Sequence, residues 1–359
     1  MMKKKTIIML VAAALIVIVA AVVAVRGSRQ ATFAQDYHID DTGTITKIFL
    51  ADKQNRQVTL CHTGDSTWLV DNTYEANQPL VDLLLETLNT MRIREQVNKN
   101  AIPNTVKDLA AHAIKCEVYQ RKPLINWFGG RLKLFTRERL TATYYVGRET
   151  RDMMGSFMFR KGDKVPYVIH IPGFRGFLTP RFVTDPLKWR SHLIVDLNVR
   201  EIARVELEIP SAPEESFAVV REGNGFAFEF LNPQRRVDRF DTARVAQMLG
   251  SFTWLNFDEF ASIVPNSFAD SCVSGVPRTV LRITDTAGVT RQLKTYIKYT
   301  NPDDLKTMPD SAMYETFDLN RLYAVLDNKD TVLIQYYVFD NILQPASYFL
   351  GADKSTFAR

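Results

Sequence analysis

Nineteen consecutive apolar residues, Ile7 to Val25, follow Lys3, Lys4 and Lys5. At about 1.5 Å of rise per residue they make a helix of roughly 28 Å, close to the ~30 Å hydrocarbon thickness of a bilayer. A secretory signal would carry an apolar core of only about 7–15 residues before a small-residue cleavage site. Here the run is longer and is closed by Arg26-Gly27-Ser28-Arg29, so it reads as an uncleaved anchor. The lysine cluster outweighs the two arginines beyond the run. By the positive-inside bias the amino terminus stays in the cytoplasm and the chain from about residue 30 crosses. The expectation is a single-pass protein of the cytoplasmic (inner) membrane, held through residues 7–25, with its body in the periplasm or outside the cell.

Residues 1–29 are therefore expected to be the anchor, and the remaining ~330 residues suffice for two domains. With 46% hydrophobic, 11% aromatic and 24% charged residues, the body has a globular composition. Cys61, Cys116 and Cys272 are too few for a disulfide framework. Alternation puts Cys116 with Ile114 and Val118 on an apolar face, which reads as a buried thiol. A Cys61–Cys116 bridge is the competing reading.

The body opens with strand-like runs at Ile45 to Leu50, Val58 to Cys61 and Trp68 to Val70, separated by polar turns. Asn77 is placed to cap a helix with Pro79 in its first turn, and Leu80, Leu84, Leu88 and Met91 recur at helical spacing. A shorter helix is expected over Asn104 to His112. Further strands are expected over Lys115 to Gln120, Thr143 to Val146, Ser156 to Arg160 and Val165 to Ile171.

The second half repeats this order at an offset near 157. Ile202 to Leu207 answers Ile45 to Leu50, Phe217 to Val220 answers Val58 to Cys61, and Phe226 to Phe230 answers Trp68 to Val70. Asp241 caps a helix carrying Val245, Met248 and Leu249 and ending at Gly250. Thr279 to Ile283 answers Cys116 to Gln120, and Val332 to Tyr336 answers Tyr167 to Ile171. The expected fold is α+β: a transmembrane helix, then a duplicated unit of antiparallel sheet with one packed helix per repeat, spanning 30–198 and 199–359.

Trp189-Arg190-Ser191-His192-Leu193-Ile194 before Val199-Arg200-Glu201-Ile202, Trp68-Leu69-Val70 ahead of a Leu-rich helix, and the strand end Tyr144-Tyr145-Val146-Gly147 resemble the domain-of-unknown-function family numbered 4340. The resemblance runs from about Ile45 to Pro345. It implies a membrane-anchored envelope protein, in some cases encoded beside ABC-type export or gliding-motility components, and brings no catalytic residues. The chain departs from the commoner family pattern at Lys122 to Thr141, where a longer hairpin replaces a short turn.

Catalytic signatures are sparse. His38, His62, His112, His170 and His192 show no zinc-ligand spacing, and the P-loop, G-x-G-x-x-G, G-x-S-x-G and S-x-x-K patterns do not occur. His62-Thr63-Gly64-Asp65-Ser66 holds the residue types of a triad, but a five-residue turn cannot face them at one another. No metal, cofactor or catalytic residue is assigned.

Charge is concentrated instead. Between Arg121 and Arg190 there are fifteen Lys or Arg against five Asp or Glu, a balance of +10 in a chain of +5, interleaved with twelve aromatics. Nucleic acid is not expected across a membrane, whereas an envelope protein partner or anionic lipid is. Within this stretch Gly129-Gly130 forms the tip of a hairpin bearing Trp127, Phe128, Arg131, Lys133, Arg137 and Arg139, the candidate binding residues. The competing readings are exposed strand faces defended against edge pairing, arms folded back over the sheet, and, for the whole protein, an enzyme acting on cell-envelope polymers.

Overall fold

A computed structural model describes residues 37–64, 67–127, 132–261, 267–300 and 317–351; the side chains of 124–127, 132–135 and 267 fall outside the description. The apolar run 7–25 also lies outside it. Among the described residues no helix is long and apolar enough to cross a membrane. The protein is α+β, mostly antiparallel sheet in two compact units that divide between Ser191 and His192, a few residues before the expected boundary at Asn198.

The first unit contains β1 (Ile45–Ala51), β2 (Gln57–His62), β3 (Trp68–Val70), β4 (Tyr74–Glu75), α1 (Gln78–Thr90), β5 (Arg92–Gln96), α2 (Ile102–His112), β6 (Ile114–Trp127), β7 (Leu132–Glu149), β8 (Ser156–Arg160), β9 (Tyr167–His170) and α3 (Pro186–Trp189). Its nine strands lie in the order β4-β3-β2-β1-β6-β7-β8-β9-β5.

The second unit contains β10 (Leu193–Val195), β11 (Ile202–Glu208), β12 (Phe217–Glu222), β13 (Gly225–Leu231), β14 (Gln234–Val237), α4 (Thr242–Gly250), β15 (Leu255–Asn256), β16 (Glu259–Phe260), α5 (Ser267–Val273), β17 (Thr279–Asp285), β18 (Thr290–Tyr299), β19 (Phe317–Leu326), β20 (Asp330–Gln335), α6 (Tyr336–Phe339) and α7 (Ala346–Phe349). Its main sheet runs β14-β13-β12-β11-β17-β18-β19-β20-β16, the same order in the same positions.

The registers agree as well. Ile48 lies opposite Leu60 and Val118, and Val205 lies opposite Val219 and Ile283. The one irregularity in each central pairing falls at the same place, between Ile45 and Lys47 and between Ile202 and Arg204.

In each unit the long helix covers one face. Val81, Leu84 and Leu88 of α1 have no exposed surface and pack with Ile48, Leu50, Val118 and Trp189. Burying each contributes about 1.5–3 kcal/mol before chain entropy is subtracted. The Asn77 side chain accepts from the Leu80 N–H, and that of Asp241 accepts from Ala243 and Arg244. Gly250 is still helical and Ser251 closes α4, so Gly250 is not the left-handed cap expected of it.

The shorter helix of each unit packs on strands near the other end of the sheet, α2 on β7 and β8, and α5 on β18 and β19. Gly147 permits the first of these contacts, because a Cβ there would lie 2.5 Å from Leu109 Cδ2 and 2.9 Å from the Phe157 carbonyl. α2 answers the shorter helix expected over Asn104 to His112, whereas α5 was not expected beside the one packed helix of the second repeat, being too short to give a helical period.

All three cysteines are free. Cys61 pairs with Lys47 and Cys116 with Leu50, so β1 stands between them, with Cys116 on the buried face and Cys61 on the half-exposed one. That geometry removes the Cys61–Cys116 bridge. Burial pushes the Cys116 thiol well above its ordinary range.

Candidate binding surface at the root of the long hairpin

β6 and β7 are much longer than the strands expected at Lys115 to Gln120 and Thr143 to Val146. β1 accompanies β6 only as far as Gln120, and β8 joins β7 only from Tyr144 onward. Beyond Arg121 and Glu138 the two strands continue as a two-stranded ribbon to Trp127 and Leu132. Six residue positions on each strand at ~3.3 Å each carry it about 20 Å past the sheet. In the second unit β17 turns into β18 directly after Asp285, through Gly288.

The root of the ribbon is tied down. Gln120, 1% exposed, donates through Nε2 to the Asp41 carbonyl and the Thr44 hydroxyl, both at 2.9 Å, and its Oε1 accepts from Thr141 at 2.8 Å. Glu138 accepts from the Thr46 hydroxyl at 2.6 Å and from Lys47 Nζ at 3.0 Å. The Thr46 hydrogen bond, with Lys47 second, holds the Glu138 carboxyl below the ordinary range. Lys47 in turn lies 4.0 Å from the centre of the Tyr119 ring.

Above the root the charges are not balanced. Lys122 stands directly opposite Arg137, and both are exposed. Like charges opposite one another weaken a strand pair, so this pairing does not serve the ribbon's own stability. Arg139 is half-buried, and its Nε and Nη2 are shielded from solvent with no hydrogen-bond acceptor among the described residues. Those two nitrogens form one edge of the planar fork that matches a carboxylate or phosphate.

Of the six expected binding residues, Arg137 and Arg139 are thus placed at the root. Trp127 and Lys133 lie on the paired backbone opposite Leu132 and Asn126, with side chains outside the description, and Phe128 and Arg131 lie outside the described residues. Arg121 and Lys122 are exposed at the same root although they were not singled out. Their signal was present, because counting outward from Gly129-Gly130 sets Lys122 against Arg137. The basic-aromatic stretch is otherwise partly core: Tyr144, Phe182 and Trp189 are at most 2% exposed, and Arg181 stacks on Phe174.

The histidines are dispersed. His38 bonds to Asp40 at 2.7 Å, His112 to Asp108 at 3.0 Å, and His192 stacks on Phe257. His62 packs near Trp68, and His170 pairs with Arg92 across the β5–β9 edge. Among the described residues no three His, Cys, Asp or Glu side chains gather as metal ligands would. No family model, curated protein or solved structure matches the chain.

Proposed function

We propose that the chain is a membrane-anchored, extracytoplasmic binding or scaffold component of an envelope complex, built by duplication of one α+β unit and docking through the long hairpin of the first. The observation that carries this reading is the ribbon. It extends beyond the sheet, sets Lys122 against Arg137, and has no counterpart between β17 and β18. A surplus of positive charge on a projecting element favours an anionic partner, either an acidic envelope protein or lipid headgroups. The anchor reading rests on Ile7 to Val25 and the lysines before it, and the resemblance to the family numbered 4340 agrees with it. The equal strand orders and registers support duplication, because loop lengths change readily while pairing register does not.

Alkaline phosphatase fused after residue 40 is expected to be active. A fusion that is inactive there, with a cytoplasmic reporter active at the same site, would remove the extracytoplasmic placement. Replacing Trp127 and Phe128 with Ser is expected to leave the melting temperature nearly unchanged and to weaken binding to anionic liposomes. A large fall in melting temperature would instead make the two aromatics part of the core.

A further inference from the structure

The described chain enters the first unit at the end of the sheet from which the ribbon leaves it. Tyr37 is fully buried; its hydroxyl donates to Asp163 Oδ2 at 2.7 Å, and its carbonyl accepts from the Tyr144 hydroxyl at 2.8 Å. Ile39 N–H donates to the Leu88 carbonyl at 2.7 Å. Asp163 belongs to the turn between β8 and β9, where Lys161 N–H bonds to the Thr143 carbonyl just beside the ribbon root. Tyr37, this turn and the root therefore share one end of the sheet, opposite the β7–β8 turn that contains Arg151.

That end is basic. Arg121, Lys122, Arg137, Lys161 and Lys164 are exposed there, Lys161 near Glu117. The acids alongside are Glu117, paired with Lys115; Glu138, paired with Lys47; Asp163, paired with Arg160; and the exposed Asp40 and Asp41. At the matching turns of the second unit Asp285, Asp327 and Asp330 stand with Arg291 and Lys329.

Eleven residues, 26–36, separate the apolar run from Tyr37. Fully extended they reach about 40 Å. We infer that this end of the first unit rests on the anionic headgroups of the bilayer that holds residues 7–25. The inference depends on the anchor reading and adds an orientation and a ligand to it. So short a tether keeps the basic end at high effective concentration beside the surface. Each Lys or Arg brought close to an anionic leaflet strengthens the contact about fivefold. Salt screens the attraction within about 10 Å at 0.1 M, so only the end that the tether already brings close can use it.

The test uses the full chain in nanodiscs whose lipids include a nitroxide-headgroup quencher, in a Cys61→Ser, Cys272→Ser background. A fluorophore is placed at Thr136→Cys on the ribbon or at Arg151→Cys at the far end. In discs containing phosphatidylglycerol the Thr136 label should be quenched about threefold more than the Arg151 label, given headgroup attraction of several bases. That difference should collapse in phosphatidylcholine-only discs and in the variant Arg121→Gln, Lys122→Gln, Arg137→Gln, Lys164→Gln. Equal quenching at both positions in a disc-incorporated chain overturns the orientation and leaves the anchor intact. A difference that survives charge removal overturns the headgroup contact, and equal quenching in lipid alone that becomes unequal only on adding an acidic protein would assign the surface to that partner. A chain that does not enter the discs overturns the anchor and this inference together.

Discussion

The Asn77 backbone N–H donates to the carbonyl of Trp189 at 2.7 Å, tying the start of α1 to the last turn of the first unit. The Asp241 N–H donates to the Phe349 carbonyl at the same distance in the second. In both, a residue whose side chain caps the long helix uses its own backbone donor to fasten an aromatic from a short helix. Trp189 and Phe349 are both fully buried. Helix start and unit end are therefore one structural device, and it occurs twice.

Asp241→Ala removes the acceptor of two helix N–H groups and should cost about 1 kcal/mol. Trp189→Ala empties a core position and should cost about 3–5 kcal/mol. Thermal melts of the two variants check the ranking. Equal losses would mean that the buried Trp189 side chain contributes no more than the helix cap.

The opening strands of each unit were legible because β1, β2, β11 and β12 are short runs rich in β-branched or aromatic residues between polar turns. The constant offset was not real. The structural partners differ by 157 at Ile48 and Val205, 165 at Val118 and Ile283, and 149 at Tyr144 and Leu293. The ribbon adds sixteen residues to the first unit between β6 and β7, and the longer β18–β19 connection in the second unit restores the count. Matching Thr279 to Ile283 with Cys116 to Gln120 therefore slipped by two residues, a slip that keeps the same side chains inward and leaves no sign in the hydrophobic pattern. β5 was missed for another reason. Arg92–Gln96 is a largely exposed edge strand whose composition carries no alternation. The clamp on Tyr37 joins residues 126 apart in sequence, which no local pattern reports.

Gly147 and Gly250 make a paired test of local space. Gly147→Ala drives a Cβ into Leu109 and the Phe157 carbonyl and should cost about 1–3 kcal/mol. Gly250→Ala meets nothing within 4 Å, inside a helix, and should be neutral or stabilise by up to about 1 kcal/mol. Melting temperatures moving in the same direction by the same amount would contradict the close approach of α2 to β7.

Glu138 supplies a pH prediction. Its carboxyl is held below the ordinary value of about 4.3 by the Thr46 hydroxyl first and Lys47 second. A depressed carboxylate contributes stability that is present above the unfolded value and lost as pH falls through the folded one. Thr46→Val should therefore lower the melting temperature slightly at pH 7 and make the further fall toward pH 3 shallower than in the unmodified protein. The effect is small, because Glu138 is 43% exposed and solvent screens the pair. An unchanged slope between pH 5 and pH 3 would show that this hydrogen bond contributes nothing to acid sensitivity.

Arg139 separates the ribbon root's contribution to stability from its contribution to binding. Shielding Nε and Nη2 from water without an acceptor has a desolvation cost that no partner among the described residues offsets. Replacing such a group with an apolar side chain of similar length is often neutral or stabilising. Arg139→Met should then hold or raise the melting temperature, whereas an arginine that braced the fold would lower it by more than about 1 kcal/mol. The same variant should weaken association with vesicles containing phosphatidylglycerol, since it removes a fork suited to phosphate oxygens. Arg139→Lys should restore only part of the association, because an ammonium keeps the charge and loses the planar two-donor edge. Full recovery by Lys would show that only charge matters at this position. A destabilised Met variant with unchanged vesicle binding would place Arg139 in the structural core and leave Arg121, Lys122 and Arg137 to carry the surface.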